Sequence, residues 1–106
     1  MILIRVEANT AHRIVRMEAH GHALLADPGQ DVVCAAVSTL VENLANSLEI
    51  LLGKQPTTRR DTGLLTIQLE EADEQTDLLF ASTLLGLRSI ARQHPERVKI
   101  EQAYTE

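Results

Sequence analysis

Residues 31–53 read DVVCAAVSTLVENLANSLEILLG. Within them Val33, Val37, Leu40, Val41, Leu44, Leu48, Leu51 and Leu52 recur at spacings of three and four, the period of one helical face. Asp31 suits the N-cap, because its carboxylate can accept from backbone N–H groups two or three residues ahead. Gly53 suits the position after the last turn, where a left-handed backbone is wanted. A helix of about six turns with a single apolar stripe follows, and that stripe must be covered by the rest of the chain.

The cover lies on both sides. Upstream, Ile2, Ile4 and Val6 alternate with Leu3, Arg5 and Glu7, the period-two pattern of a half-buried strand. Asn9-Thr10 gives turn chemistry, and Arg13 to His20 alternates again, with Val15, Met17 and Ala19 on one face. Downstream, Thr57–Arg60 and Leu64–Glu70 flank Asp61-Thr62-Gly63, which reads as a three-residue hairpin loop with glycine at the positive-φ place. A second helix is predicted over about Glu74 to Gln93. Phe80, Leu84, Leu87 and Ala91 form its stripe, with Leu78, Ala81 and Leu85 beside it, and His94-Pro95 ends it. Val98 and Ile100 mark a last short strand. The order is β-β-α-β-β-α-β, an α+β fold: a small mixed or antiparallel sheet with two long helices packed on one face.

Composition narrows the function. At 106 residues the chain is the size of one domain, able to bury about 65% of its surface. The only aromatic residues are Phe80 and Tyr104, which removes a stacking platform for single-stranded nucleic acid. Ten basic residues against fifteen acidic give a net charge of −5, the wrong sign for a phosphate-binding surface, so no direct nucleic-acid partner is expected. No apolar run approaches the ~18 residues of a membrane span and no signal peptide is visible, so a cytoplasmic protein without a membrane partner is expected. No GxxxxGK[ST] or GxGxxG occurs, which argues against phosphate binding by the common loops. A single cysteine, Cys34, excludes an internal disulfide and any CxxC motif. The Arg59-Arg60-Asp61 and Glu70-Glu71 clusters read as exposed hairpin ends rather than binding patches.

Chemistry concentrates around the start of the first helix. If Asp31 caps it, Cys34 lies in the first turn, where unpaired N–H groups and the helix dipole favour an anion such as a thiolate. Cys34 sits about 100° round from Val33, at the edge of the apolar stripe and on the face of Ser38. His22, at the end of the second strand, could stabilise the thiolate and protonate a leaving amine. It could equally be a polar residue where a strand ends. His20, His22 and Cys34 could alternatively hold zinc with an open position, although no fourth protein ligand suggests itself. The segment Gly21-His22-Ala23-Leu24-Leu25-Ala26-Asp27-Pro28-Gly29-Gln30 fits no element, and Pro28-Gly29 is a turn signal.

Gly21-His22-Ala23, followed after a loop by Gly29-Gln30-Asp31-Val32-Val33-Cys34-Ala35-Ala36-Val37-Ser38, resembles the signature of the ribosomal-processing cysteine protease family, Prp. Length and element order are similar over essentially the whole chain. The resemblance implies that residues 1–106 form a single cysteine-protease-like domain. Its activity would be that of an endopeptidase removing the N-terminal extension of the bacterial large-subunit ribosomal protein numbered twenty-seven. Cys34 would be the nucleophile and His22 its general base and acid. Asp31 would cap the helix, orient His22, or both, and Ser38 matches a motif position one turn beyond the thiol. The family pattern further implies a homodimer, a ribosomal protein precursor as substrate, no cofactor and no metal. Ala23, Leu24, Leu25, Ala26, Asp27, Pro28, Gly29 and Gln30 would form a gating loop beside the site. Relatives often carry glycine and an aromatic residue after G-H-A, where this chain has Leu24 and Leu25, and Pro28 stiffens the loop by fixing φ. The other class of function open to such a chain is a non-catalytic interaction module in ribosome assembly.

Overall fold

The helix expected from residue 31 begins one turn earlier. A computed structural model describes residues 1–21 and 28–104, with the backbone alone at 28–31 and 104. In it α1 spans Pro28–Ile50. Proline suits a first helical position, since its missing N–H has no partner to lose there and its φ is already helical. Asp31 is therefore inside the first turn rather than the N-cap, and Cys34 is the seventh helical residue, in the second turn. The C-terminal end is as the sequence predicts. Gly53 adopts φ +65°, its N–H donates to the Glu49 carbonyl at 3.1 Å, and the Lys54 N–H donates to that of Leu48 at 3.0 Å.

The second helix, α2, spans Glu74–Gln93. Its first turn is closed by a reciprocal cap: Asp73 Oδ1 accepts from the Thr76 N–H at 2.9 Å, and Thr76 Oγ1 accepts from the Asp73 N–H at 2.8 Å. At its far end the His94 N–H still donates to the Ile90 carbonyl at 2.9 Å before Pro95 forbids another turn.

Five strands, β1 (Ile2–Ala8), β2 (Ile14–Gly21), β3 (Thr57–Asp61), β4 (Leu64–Gln68) and β5 (Val98–Tyr104), form one sheet in the order β3-β4-β2-β1-β5. β5 runs parallel to β1, and the remaining neighbours are antiparallel, so the sheet is mixed. The β3–β4 loop is two residues, Thr62-Gly63, not three, because Asp61 still pairs with Leu64. At the other hairpin the Asn9 side chain accepts from the Ala11 and Arg13 N–H groups, both at 3.0 Å, and supplies the turn.

Register assigns the faces. Ile4 pairs with Ala19, which pairs with Leu65; Val6 pairs with Met17, which pairs with Ile67; Ile2 and Ile4 pair with Val98 and Ile100. This face meets the buried stripes of both helices, Val33, Val37, Val41, Leu44 and Leu48 from α1 and Phe80, Leu84 and Leu87 from α2, in one core. The opposite face carries charged rows, with Arg5 between Glu18 and Glu101, and Glu7 opposite Arg16. Leu78 and Leu85 are 69% and 68% exposed, contrary to their expected place beside the core stripe. Leu78 is two residues from Phe80, and Leu85 two from Leu87, about 200° round the helix. Leu51 is exposed as well, although its N–H still donates to the Ser47 carbonyl at 3.0 Å.

Candidate active site

Cys34, Ser38 and Glu42 follow one another at intervals of four along α1, each one residue after the buried Val33, Val37 and Val41. That offset puts them on a second row about 100° from the core stripe. The row lies along a groove of about 300 Å³ whose opposite wall is the β3–β4 hairpin from Arg60 to Leu65. Ile2, Ala19 and Val37 line it too, which makes its surface mostly apolar. Cys34 is half-buried and packs at the edge of the core while lining the groove; Ser38 is exposed.

The end of β2, which leads into His22, is tightly fixed. The Gly21 N–H donates to the Gly63 carbonyl at 2.9 Å. A Cβ at Gly21 would run into the Met1 carbonyl and stand 2.7 Å from Ile2 Cα. Gly63 has φ +70°, and a Cβ there would stand 2.7 Å from the Gly21 carbonyl oxygen. Both glycines are needed for β1, β2 and the β3–β4 turn to approach this closely, and the groove ends against them.

Farther along α1, Glu42 meets Arg60 in a bidentate pair. Arg60 Nη2 donates to Oε1 at 2.7 Å, and Nε donates to Oε2 at 2.9 Å. A third donor, Arg60 Nη1, reaches Thr58 Oγ1 at 3.0 Å. Hydrogen bonding to Arg60 holds the Glu42 carboxyl below its usual range, and the same contact raises the guanidinium. Arg60, expected at an exposed hairpin end, instead faces α1, and Glu42 carries no motif that marks it in the sequence. The signal that finds them is the four-residue interval from Cys34 through Ser38 to Glu42, together with the alternation that turns Arg60 to the helix side of β3.

Of the residues picked out from the sequence, Cys34 and Ser38 lie on one row and border one groove. His22 and the segment Ala23–Asp27 fall outside the described residues, as does the Asp31 side chain. Pro28, Gly29 and Gln30, expected in the loop, are helical. The N–H groups left without intrahelical partners at the helix start are those of Gly29 and Gln30, while that of Cys34 is inside the helix. The expectation that the first turn surrounds the thiol is corrected accordingly. His20, which pairs with Leu3 and Leu64, lines the same groove as Cys34, while His22, the other ligand of the zinc alternative, lies outside the described residues. Among the described residues no group of three or more His, Cys, Asp or Glu is placed to hold a metal ion, and no helix is long and apolar enough to cross a membrane.

A family profile described as "Cysteine protease Prp" matches residues 1–99. The chain belongs to the cysteine protease Prp family. The ribosomal processing cysteine protease Prp of Bacillus subtilis is 27% identical, over 94% of this chain and 96% of its own. Among solved structures, SMU.848 of Streptococcus mutans superposes with a TM-score of 0.87 at 34% identity, covering 99% of this chain and 96% of that one. The essential ribosomal processing protease Prp of S. aureus, solved with a substrate peptide, superposes with a TM-score of 0.89 at 21% identity, covering 96% and 99%. The α+β fold, with its five-stranded mixed sheet and two helices, is the Prp fold. By family this Prp chain is a cysteine protease.

Proposed function

We propose that residues 1–106 act as a single-domain cysteine endopeptidase that removes the N-terminal extension of the large-subunit ribosomal protein numbered twenty-seven. The observation that carries it is that the chain's one cysteine, Cys34, lines a mostly apolar groove of about 300 Å³. Such a family needs a thiol, and the sequence contains no other.

In this scheme the Cys34 thiolate attacks the scissile carbonyl carbon and forms an S–C bond, and the carbonyl electrons move to oxygen. Collapse of that oxyanion breaks the C–N bond as the His22 imidazolium gives its proton to the departing amine. Water then attacks the thioester, His22 takes its proton, and the acid product leaves with the thiolate restored. The helix dipole acts mainly within the first turn. With Cys34 in the second turn, stabilising the thiolate falls chiefly to His22. The first-turn N–H groups remain as candidate oxyanion donors, one turn before the thiol. Asp31, in that first turn, orients His22, and Ser38 supports the groove wall. Any gating motion belongs to Ala23–Asp27, since Pro28–Gln30 are helical. The enzyme works in the cytoplasm as a homodimer, without cofactor, nucleic acid or membrane.

Intact mass spectrometry of the same organism's precursor, incubated with wild-type protein and with Cys34→Ala, tests the proposal. A single N-terminal cut made by the wild type alone is expected, with His22→Ala slower by about 10²–10⁴-fold. An uncut precursor in the presence of a reduced wild-type thiol would favour the non-catalytic assembly module instead.

A further inference from the structure

The groove is chemically uneven along its length. Its lining includes the apolar Ile2, Ala19 and Val37 beside the polar His20 and Ser38, and at the Glu42 end stands the bidentate Arg60 pair. Glu42 lies eight positions after Cys34 on the helix, about 12 Å along the axis. An extended peptide covers that distance in three to four residues, at about 3.3 Å each.

Arg60 has five N–H donors. One each from Nε and Nη2 is engaged by Glu42, and one from Nη1 by Thr58. Two N–H groups of a half-exposed guanidinium therefore have no partner among these contacts. Its charge, however, is already balanced by Glu42 at 2.7 Å. A substrate carboxylate arriving there would gain the spare donors and meet the Glu42 carboxylate at once. A neutral acceptor would gain the donors without that repulsion.

We propose that Arg60, held in place by Glu42, is a specificity-determining anchor for a neutral hydrogen-bond acceptor on the peptide, three to four residues from the scissile bond. A side-chain amide is the best fit, and Glu42 excludes acidic residues from the same place. This rests on the groove being the peptide site of the endopeptidase. Glu42 and Arg60 are peripheral to the chemistry: they hold the substrate and touch no reacting atom.

Fluorescein-labelled nonapeptides test it, with leucine at the two central positions, alanine elsewhere, and Gln, Glu or Ala placed three or four residues from the centre on either side. Their affinity for Cys34→Ala protein is read by anisotropy, so that binding is separated from cutting. The Gln peptide is expected to bind about fivefold tighter than the Ala peptide at one of these positions, as one net hydrogen bond gives. The Glu peptide should bind more weakly than the Gln peptide. Adding Glu42→Gln should reverse the order of Glu and Gln, while adding Arg60→Ala should make Gln and Ala equal. The same ranking in all three proteins, or no binding of any peptide, would overturn the anchor. Peptides ranked as expected but left uncut by the wild type would count against the endopeptidase and leave the anchor standing; peptides cut with a flat ranking would do the reverse.

Discussion

The two helices are built alike toward the core and differently everywhere else. Each buries one apolar stripe against the same sheet face. In α2 the polar side chains with hydrogen bonds cluster at its first turn and serve the fold: Asp73 and Thr76 close each other's backbone donors. Asp77 accepts from the Ile14 N–H at 3.0 Å and from Arg13 Nη1 at 2.9 Å, tying the helix to β2. In α1 the row Cys34, Ser38 and Glu42 runs lengthwise, and the partner of Glu42 lies across the groove on β3. A polar row parallel to a core stripe, bordering a cavity, is what distinguishes α1 from α2.

Core removal gives the largest effect and should not distinguish the helices. Phe80 and Leu48 are both fully buried, so Phe80→Ala should lower unfolding stability by about 3–5 kcal/mol and Leu48→Ala by about 2–5, measured by urea denaturation. The α1 row should behave otherwise. Cys34→Ala should cost about 1 kcal/mol and Ser38→Ala less than about 0.5, with the first abolishing cleavage. Row variants as costly as Leu48→Ala would mean that the row belongs to the core and would erase the contrast.

That contrast was legible in the sequence only in part. The period of three and four placed both stripes, and Gly53, Gly63 and His94-Pro95 marked boundaries, because these signals are local. The start of α1 is ambiguous in the sequence because Asp31 and Pro28 are both good helix starters, and Pro28 lies farther upstream. Leu78 and Leu85 are apolar enough for the core, yet each lies two residues from a stripe residue, and that offset of about 200° turns them to the opposite side of the helix. The Glu42–Arg60 pair joins residues eighteen positions apart, and only the hairpin's return across α1 brings them together. Cys34 and its neighbours were found by a motif, while the groove that gives them a use needed the third dimension.

A smaller effect should appear at the start of α2. Thr76 is fully buried, and its hydroxyl accepts from the Asp73 N–H while donating to the Asp73 carbonyl at 3.0 Å. Thr76→Val keeps the shape and removes both bonds, and should cost about 1–2 kcal/mol in the same denaturation assay. Cleavage by the folded protein should be unchanged, since this polar cluster serves the fold. A loss of cleavage at full folding would tie the start of α2 to the site and blur the distinction between the helices.

The smallest effect is electrostatic and depends on pH. The Asp73 carboxyl is held below its ordinary value of 3.8, first by its hydrogen bond to the Lys54 ammonium and then by the Thr76 N–H. The ion pair measures 2.8 Å and is partly open to solvent. A carboxyl whose pKa is depressed by folding stabilises the folded state as the anion. That contribution is complete above the unfolded value and is lost as pH falls through the folded one. The stability gap between wild type and Asp73→Asn should therefore be level from pH 7 to about 5 and narrow below 3.8. Salt should reduce it at neutral pH, because exposed pairs are screened. A gap unchanged by pH and salt would show that the cap acts through its hydrogen bonds alone. The charge of Asp73 would then contribute nothing, and the polar start of α2 would owe its stability wholly to backbone donors that found acceptors.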